Sequence, residues 1–257
     1  MLRNKDKLLI DKISNYLDEN KIEYENHDLI RNVIARKKGK RFSFEDGIKS
    51  LVYSLLSNQK KWKDIRPKLK EIDELFFYYN KNKILSESSD YFYNGIKKLK
   101  CGNISTKKQM VSLAYDIHML EKIEDEYGSL EKFFDSFSIY EIVDMIAEGK
   151  YKLKYVGKAL AWEFLRNMGI DGAKPDLHMR RILGSDRLGY SDSSIASVTE
   201  VVRIFDDIAN NTGYFKAYLD TILWHYCADG YGEICTAKPK CNKCVIREFC
   251  NYPSIVE

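Results

Sequence analysis

Four cysteines lie close together in the last part of the 257-residue sequence, and thiols in such a pattern can hold metal. They are Cys235, Cys241, Cys244 and Cys250, spaced C-x5-C-x2-C-x5-C. Four thiolates suit either a tetrahedral Zn²⁺ ion or an iron–sulfur cluster. Zinc ribbons usually carry two C-x-x-C pairs, whereas this sequence has one. The corners of a [4Fe–4S] cube are also further apart than the ligands of one ion. The pattern favours a [4Fe–4S] cluster and leaves zinc, or four unligated thiols, as alternatives.

The expected redox compartment supports metal over disulfides. The stretch MLRNKDKLLIDKISNYLDEN mixes charged and apolar residues at helical spacing and lacks the apolar core of a signal peptide. No apolar run is long enough to predict a membrane span. We therefore expect a cytoplasmic protein with reduced thiols. The isolated Cys101 and Cys227 are expected to be small buried apolar side chains.

Positive charge is local rather than global. The net charge is only +4, which does not by itself indicate a nucleic-acid partner. The cysteine segment, however, carries four basic residues against one acid: Lys238, Lys240, Lys243 and Arg247 against Glu248. Such a loop can bind phosphate, or it can be an ordinary solvated loop.

Apolar residues recur at helical spacing along much of the chain, which predicts an all-α fold. Two clear examples are Ile139, Ile142, Val143 and Ile146, and then Ala161, Phe164, Leu165 and Met168. The lysine-rich stretch 35–44 and the Gly- and Pro-containing stretch 169–176 interrupt the pattern. We expect boundaries between helical segments at these two places.

The segment LKYVGK predicts a tight turn between a helix that ends near Gly149 and one that starts near Lys158. A turn of this kind points the backbone N–H groups of Val156, Gly157 and Lys158 outward at the start of a helix. Such groups can bind a phosphate without reading base sequence. A glycine turn can equally be a simple connector.

Asp176 follows Pro175 and precedes another helical segment, LHMRRI. Aspartate is a preferred N-cap residue, so a purely structural role is one interpretation. The other is chemical, because a carboxylate fixed in a cleft can stabilise a sugar cation or activate water.

In this order and approximate spacing, the turn, Asp176 and the four cysteines resemble the helix-hairpin-helix (HhH-GPD) DNA glycosylases of the endonuclease III type. The resemblance covers roughly residues 46–252 and includes LLSNQ (55–59) and DLHMRR (176–181). It implies that Asp176 is catalytic, with His178 and Arg181 in supporting positions. It also implies that the cysteines hold a [4Fe–4S] cluster.

The resemblance implies two helical domains with a DNA-binding cleft between them. Residues 1–44 would form an N-terminal helical extension that packs with the cluster domain. Residues 45–168 would form a helical barrel that includes the helix-hairpin-helix. Residues 169–257 would form the C-terminal helical domain with the cluster loop.

The implied activity is base excision from double-stranded DNA that contains a damaged or mispaired base. The target nucleotide is flipped out of the duplex. The resemblance places Gln59 in the gap that it leaves, and Ile104 in a nearby loop is a second candidate for that gap. Residues of the turn, Tyr155 to Lys158, would contact DNA. We expect a monomer, associated with the nucleoid when bound. Adenine-excising relatives carry a glutamate where this chain has Ser54, which argues against adenine.

The sequence departs from the family pattern in three places. Tyr155 replaces the leading glycine of the hairpin, and the first cysteine gap is one residue shorter than usual. Ala159 stands where bifunctional members carry the nucleophilic lysine. We therefore predict a monofunctional enzyme in which Asp176 assists attack by water. The alternatives are a bifunctional enzyme that uses Lys158, and a DNA-binding protein of the same fold without catalysis.

Overall fold

The computed structural model describes residues 2–24 and 28–252, with side chains described from residue 5 onward. Within these residues the chain consists of α-helices and short 3-10 turns, without a β-strand, which confirms the expected all-α class. In chain order the helices are α1 (Leu2–Glu19), α2 (Asp28–Lys37), α3 (Phe44–Leu56), α4 (Trp62–Ile65), α5 (Leu69–Leu75), α6 (Lys81–Ser86), α7 (Ser89–Lys98), α8 (Thr106–Tyr127), α9 (Leu130–Ser136), α10 (Ile139–Ala147), α11 (Lys158–Asn167), α12 (Leu177–Ile182), α13 (Val198–Thr212) and α14 (Lys216–Cys227). The 3-10 turns are Arg66–Lys68, Phe77–Tyr79, Cys241–Lys243 and Arg247–Phe249.

The chain forms two compact units. Unit 1 joins the residues up to Lys37 with those from Gly169 onward, and unit 2 comprises Lys38–Met168. The sequence placed its boundaries after residues 44 and 168. Among the helices of the described residues, none is both long and apolar enough to cross a membrane.

Reciprocal caps fix where three of the helices begin. Helices α3, α10 and α13 start with the pairs Ser43 and Asp46, Ser138 and Glu141, and Ser197 and Glu200. In each pair the serine hydroxyl accepts from the N–H three residues later, and the carboxylate accepts from the serine N–H. These bonds satisfy N–H groups that a helix start otherwise leaves open.

In unit 2, helix α11 packs against the buried helix α3. The Ser50 hydroxyl of α3 donates to the Phe164 carbonyl of α11 at 2.6 Å. Gly47 of α3 faces α9, and a Cβ there would lie 2.6 Å from Leu130 Cδ1, so the Leu130 side chain would have to shift. The helix that follows the predicted hairpin is therefore supported by the core of its own unit.

In unit 1, helix α1 packs on α13 and α14. Buried Asp6 accepts hydrogen bonds from Tyr190 Oη at 2.6 Å and from Asn211 Nδ2 at 2.8 Å. Lys12 Nζ lies 2.6 Å from Glu248 Oε1, which joins α1 to the cysteine segment. The N-terminal helix is thus an integral part of the unit that carries the cysteines.

Candidate active site

Asp176 is the N-cap of α12, as the structural interpretation of the sequence predicted. Its Oδ1 accepts from the His178 N–H at 2.8 Å and from the Met179 N–H at 3.2 Å. Its Oδ2 has no hydrogen-bond partner among the residues that the structure describes, and the side chain is half-buried. Capping therefore uses one carboxylate oxygen and leaves the other for a second partner.

His178 and Arg181 follow Asp176 on α12. The His178 ring meets the Trp224 ring edge-on, with centroids 6.2 Å apart, and its buried Nδ1 lacks a hydrogen-bond partner within the described residues. Burial lowers the pKa of His178, so its imidazole is neutral near pH 7. No carboxylate of the described side chains forms a salt bridge with Arg181. The guanidinium remains available to an anion.

The predicted hairpin is present in unit 2, between the end of α10 at Ala147 and the start of α11 at Lys158. The Leu153 N–H donates to the Ile146 carbonyl at 3.0 Å, and the Val156 N–H donates to the Leu153 carbonyl at 3.3 Å. Leu153 and Val156 are fully buried. The Val156 N–H is therefore used inside the turn and is less available to a phosphate than the sequence predicts.

The turn accommodates Tyr155 by adopting a left-handed backbone conformation. Tyr155 has φ +59°, which is costly for a residue with a Cβ, and its side chain is 44% exposed. Gly157 caps α11 without a side-chain hydrogen bond. Consequently the N–H groups of Lys158 and Ala159 have no hydrogen-bond partner in the part of the chain described, and this helix end is positive and open.

The amine of Lys158 is held by two carboxylates. Its Nζ lies 2.9 Å from Asp144 Oδ1 and 3.6 Å from Glu148 Oε2. The hydrogen bond to Asp144 is the largest cause of a raised pKa for Lys158. The amine is therefore protonated at neutral pH, and a protonated amine is not a nucleophile. Ala159 places a partly buried methyl group at the next position.

Gln59 and Ile104 both lie near the C-terminal end of α3. Gln59 is exposed and has φ +52°. Ile104 is 90% exposed on a loop. That loop is attached to α3 because Asn103 Nδ2 and Gln109 Nε2 both donate to the Leu55 carbonyl at 3.2 Å. The two residues expected to enter DNA thus lie on separate loops, one that follows α3 and one that is hydrogen-bonded to its last turn.

The cysteine segment packs against the core of unit 1 through Cys235 and Ile246. Cys235 is buried, and Cys244 and Cys250 are half-buried. The Tyr226 hydroxyl donates to Cys244 Sγ at 3.3 Å. A hydrogen bond from buried Cys227 is the largest cause of a lowered pKa for Cys235. Cys227 is buried as expected, but its contact with Cys235 is not evident from the sequence.

The other cysteine contacts also lie within one neighbourhood. A 3-10 turn joins Cys241 to Cys244, whose N–H donates to the Cys241 carbonyl at 3.3 Å. Burial, and then the charges of Cys235 and Cys244, raise the pKa of Cys250. Among the described residues, no group of three or more His, Cys, Asp or Glu side chains is arranged to hold a metal ion. The donor set nevertheless suits an iron–sulfur cluster, because hydrogen bonds from groups such as the Tyr226 hydroxyl and the Cys227 thiol commonly support ligand sulfurs.

Asp116, on α8, is a buried ionisable group that the sequence analysis missed. Its Oδ1 accepts from the Lys154 N–H of the hairpin at 2.6 Å, and its buried Oδ2 has no hydrogen-bond partner among the described residues. Burial raises the pKa of Asp116 to about 7. The signal in the sequence is an acid inside the apolar run SLAYDIHML, where its neighbours Leu113, Ile117 and Leu120 form a buried face.

Solved structures that are similar to this chain include two from one archaeon. One is the Methanocaldococcus jannaschii 8-oxoguanine glycosylase/lyase in complex with a 15mer DNA containing 8-oxoguanine, with 19% identity, TM-score 0.57, and coverage of 85% of this chain and 96% of that chain. The other is the 8-oxoguanine DNA glycosylase of the same organism, with 21% identity, TM-score 0.57, and coverage of 88% and 92%. No protein-family model matches the sequence, and no curated protein does. The chain therefore has the helical fold of these archaeal DNA glycosylases.

Proposed function

We propose that the protein is a DNA N-glycosylase that removes a damaged or mispaired base from double-stranded DNA. The shared fold supports this function over most of the chain. The observation that carries the proposal is the geometry of Asp176. One carboxylate oxygen is fixed by two backbone N–H groups, and the other has no hydrogen-bond partner in the described part of the chain. The two hydrogen bonds hold the Asp176 side chain in one orientation, so its second carboxylate oxygen has a fixed position.

Base removal requires access to the glycosidic bond, so the target nucleotide is flipped out of the duplex. The Asp176 carboxylate then stabilises positive charge on the sugar and orients a water for attack. Gln59 and Ile104 fill the gap in the base stack. The open N–H groups at the start of α11 bind a backbone phosphate without reading base sequence.

We infer that the enzyme is monofunctional. Ala159 supplies no amine, and the paired, protonated Lys158 is a poor substitute. A second candidate activity is strand cleavage, because one of the structurally similar proteins is a glycosylase/lyase. In that case an amine of this chain, rather than water, attacks the sugar.

We also propose that Cys235, Cys241, Cys244 and Cys250 hold a [4Fe–4S] cluster. A bound cluster would link the four cysteines to one another and so would hold the basic loop between Cys235 and Cys250 in one conformation. Base release itself is performed by Asp176 and the DNA-binding residues.

A lesion panel with matched variants of Asp176 tests the function. Short duplexes carry one 8-oxoguanine, one alkylated purine, one oxidised pyrimidine, or uracil or thymine opposite guanine, and half of each sample receives hot alkali. We expect breaks after alkali for at least one lesion. Asp176→Asn should lose activity by about 100-fold or more. Its helix should remain capped, because asparagine caps as well as aspartate.

Asp192→Asn, at an exposed position of the same unit, is the control and should retain full activity. Breaks without alkali, together with a borohydride-trapped complex, would replace the monofunctional proposal with the lyase. Tight duplex binding with no base release from any substrate would favour the non-catalytic alternative.

A further inference from the structure

Unit 2 carries an open groove of about 660 Å³ beside the hairpin. One wall is the first half of α8, with Lys107, Lys108, Val111 and Tyr115, and the other is the turn itself, with Lys152, Lys154 and Tyr155. One side of the groove is therefore the turn that is expected to contact DNA. The other side is a part of α8 that has no role in the proposed base release.

The four lysines give the groove a net positive charge. Lys107, Lys108 and Lys154 form no salt bridge with any carboxylate of the described residues. Two acids, Asp116 and Glu148, act on the fourth, Lys152. Asp116 lies beneath the turn and is partly protonated near neutral pH, because burial raises its pKa to about 7. An anionic occupant is therefore favoured.

The walls of the groove also expose one apolar and two aromatic side chains. Tyr115 is 42% exposed, Val111 63% and Tyr155 44%. Lys154 Nζ lies 4.9 Å from the centre of the Tyr115 ring. Exposed aromatic rings beside a track of lysines are typical of surfaces that bind single-stranded nucleic acid, because bases stack on the rings while phosphates meet the cations.

We propose that this groove binds an unpaired stretch of the same DNA molecule, with a base against Tyr115 and phosphodiesters on the lysines. The inference rests on the proposed function, since it takes the hairpin to hold the adjoining duplex. It extends the substrate class to lesions close to a single-stranded tail or gap.

Binding is measured by fluorescence anisotropy, with an undamaged blunt duplex and the same duplex extended by a tail of about six thymidines. We expect the tail to strengthen binding to the wild-type protein by about ten-fold. Lys107→Ala/Lys108→Ala should lose this increment, and the slope of log affinity against log salt for the tailed duplex should fall by about 1.4. Lys122→Ala/Lys132→Ala removes the same charge from exposed positions of the same unit and should retain the increment.

The proposed stacking of a base on Tyr115 is tested separately. A tail of abasic sugar-phosphates should bind the wild-type protein less tightly than thymidines do. Tyr115→Ala should remove that difference, and Tyr115→Phe should retain it. Unchanged helical circular dichroism shows that each variant is folded.

The outcomes separate this inference from the proposed function. A protein that binds neither duplex contradicts both. Equal affinity of the wild-type protein for blunt and tailed duplexes would overturn the proposed groove site and leave the proposed function standing. The same conclusion would follow if Lys107→Ala/Lys108→Ala weakened binding of the two duplexes by the same factor. An abasic tail that binds as well as thymidines overturns the stacking of a base on Tyr115.

Discussion

The buried carboxylate of Asp116 lies among apolar side chains of its own helix, α8. It accepts a hydrogen bond from the Lys154 N–H of the hairpin. The ordinary pKa of its carboxyl group is 3.8, and burial raises this pKa to about 7 in the folded protein. The folded state therefore binds more protons than the unfolded state between these values. Protonation of Asp116 therefore contributes its whole stabilising free energy below pH 3.8, and this contribution is lost as the pH rises toward 7.

Asp116→Asn should remove this dependence while the amide oxygen continues to accept from Lys154. We expect the wild-type free energy of unfolding, measured with urea, to fall by about 1 to 3 kcal/mol relative to the variant between pH 5 and pH 8. Asp192→Asn, which changes an exposed carboxylate, should follow the wild type. Parallel pH profiles for the wild type and Asp116→Asn would show that the carboxyl group is not desolvated.

Tyr155 offers a second test at the residue scale, because its φ of +59° favours glycine. Tyr155→Gly should be more stable than Tyr155→Ala by about 1 kcal/mol, since alanine keeps the left-handed strain and glycine does not. The same pair at exposed Val111, inside helix α8, should give the opposite order by a similar amount. The same order at both positions would contradict the left-handed conformation of the turn.

At the scale of elements, helical spacing was sufficient to predict much of unit 2. The apolar positions around residues 139–146 and 161–168 lie in α10 and α11. The contacts of the hairpin were not predictable, because Asp116 reaches Lys154 across a long stretch of sequence. Local patterns also do not report that the Val156 N–H is used inside the turn, or that Cys227 meets Cys235. Such facts depend on how the elements pack.

The start of α11 allows a gain-of-function test. Ala159→Lys places an amine at the position where the proposed family resemblance puts the nucleophilic lysine. It stands at an open helix end, which lowers the pKa of a nearby amine. We expect a borohydride-trapped complex with lesion-containing DNA, which the wild type does not form. Ala159→Arg adds the same charge without a nucleophile and should trap nothing. Failure of Ala159→Lys to trap, with base release intact, would contradict the alignment of Ala159 with that lysine.

At the scale of the whole molecule, the cysteine segment is attached to the core of unit 1 at two of its residues. Cys235 and Ile246 belong to the same apolar cluster as Ile13 and Leu17 of α1. Ligands of the proposed cluster therefore share their environment with the N-terminal helix, and binding of the metal should couple to folding of this unit.

Removal of iron should loosen unit 1 and leave unit 2 unchanged. The protein as isolated should contain about four iron atoms per chain. After chelation, hydrogen exchange should accelerate in α1, α13 and α14 and remain unchanged in α3 and α11. A quadruple Cys→Ser variant should reproduce the chelated pattern. Unaltered exchange in unit 1 after complete loss of iron would show that the cysteines do not couple metal to folding.

Unit 1 consists of two segments of the chain, and all of unit 2 lies between them in the sequence. The order of synthesis therefore affects when each unit can fold. Residues 38–168 can pack as soon as they leave the ribosome, because their partners are contiguous. Helix α1 emerges before unit 2 but packs only when α13 and α14 have been made, and until then Ile10, Ile13 and Leu17 are exposed to solvent. The nascent chain therefore has a long interval in which a chaperone that recognises a short amphipathic helix can bind it.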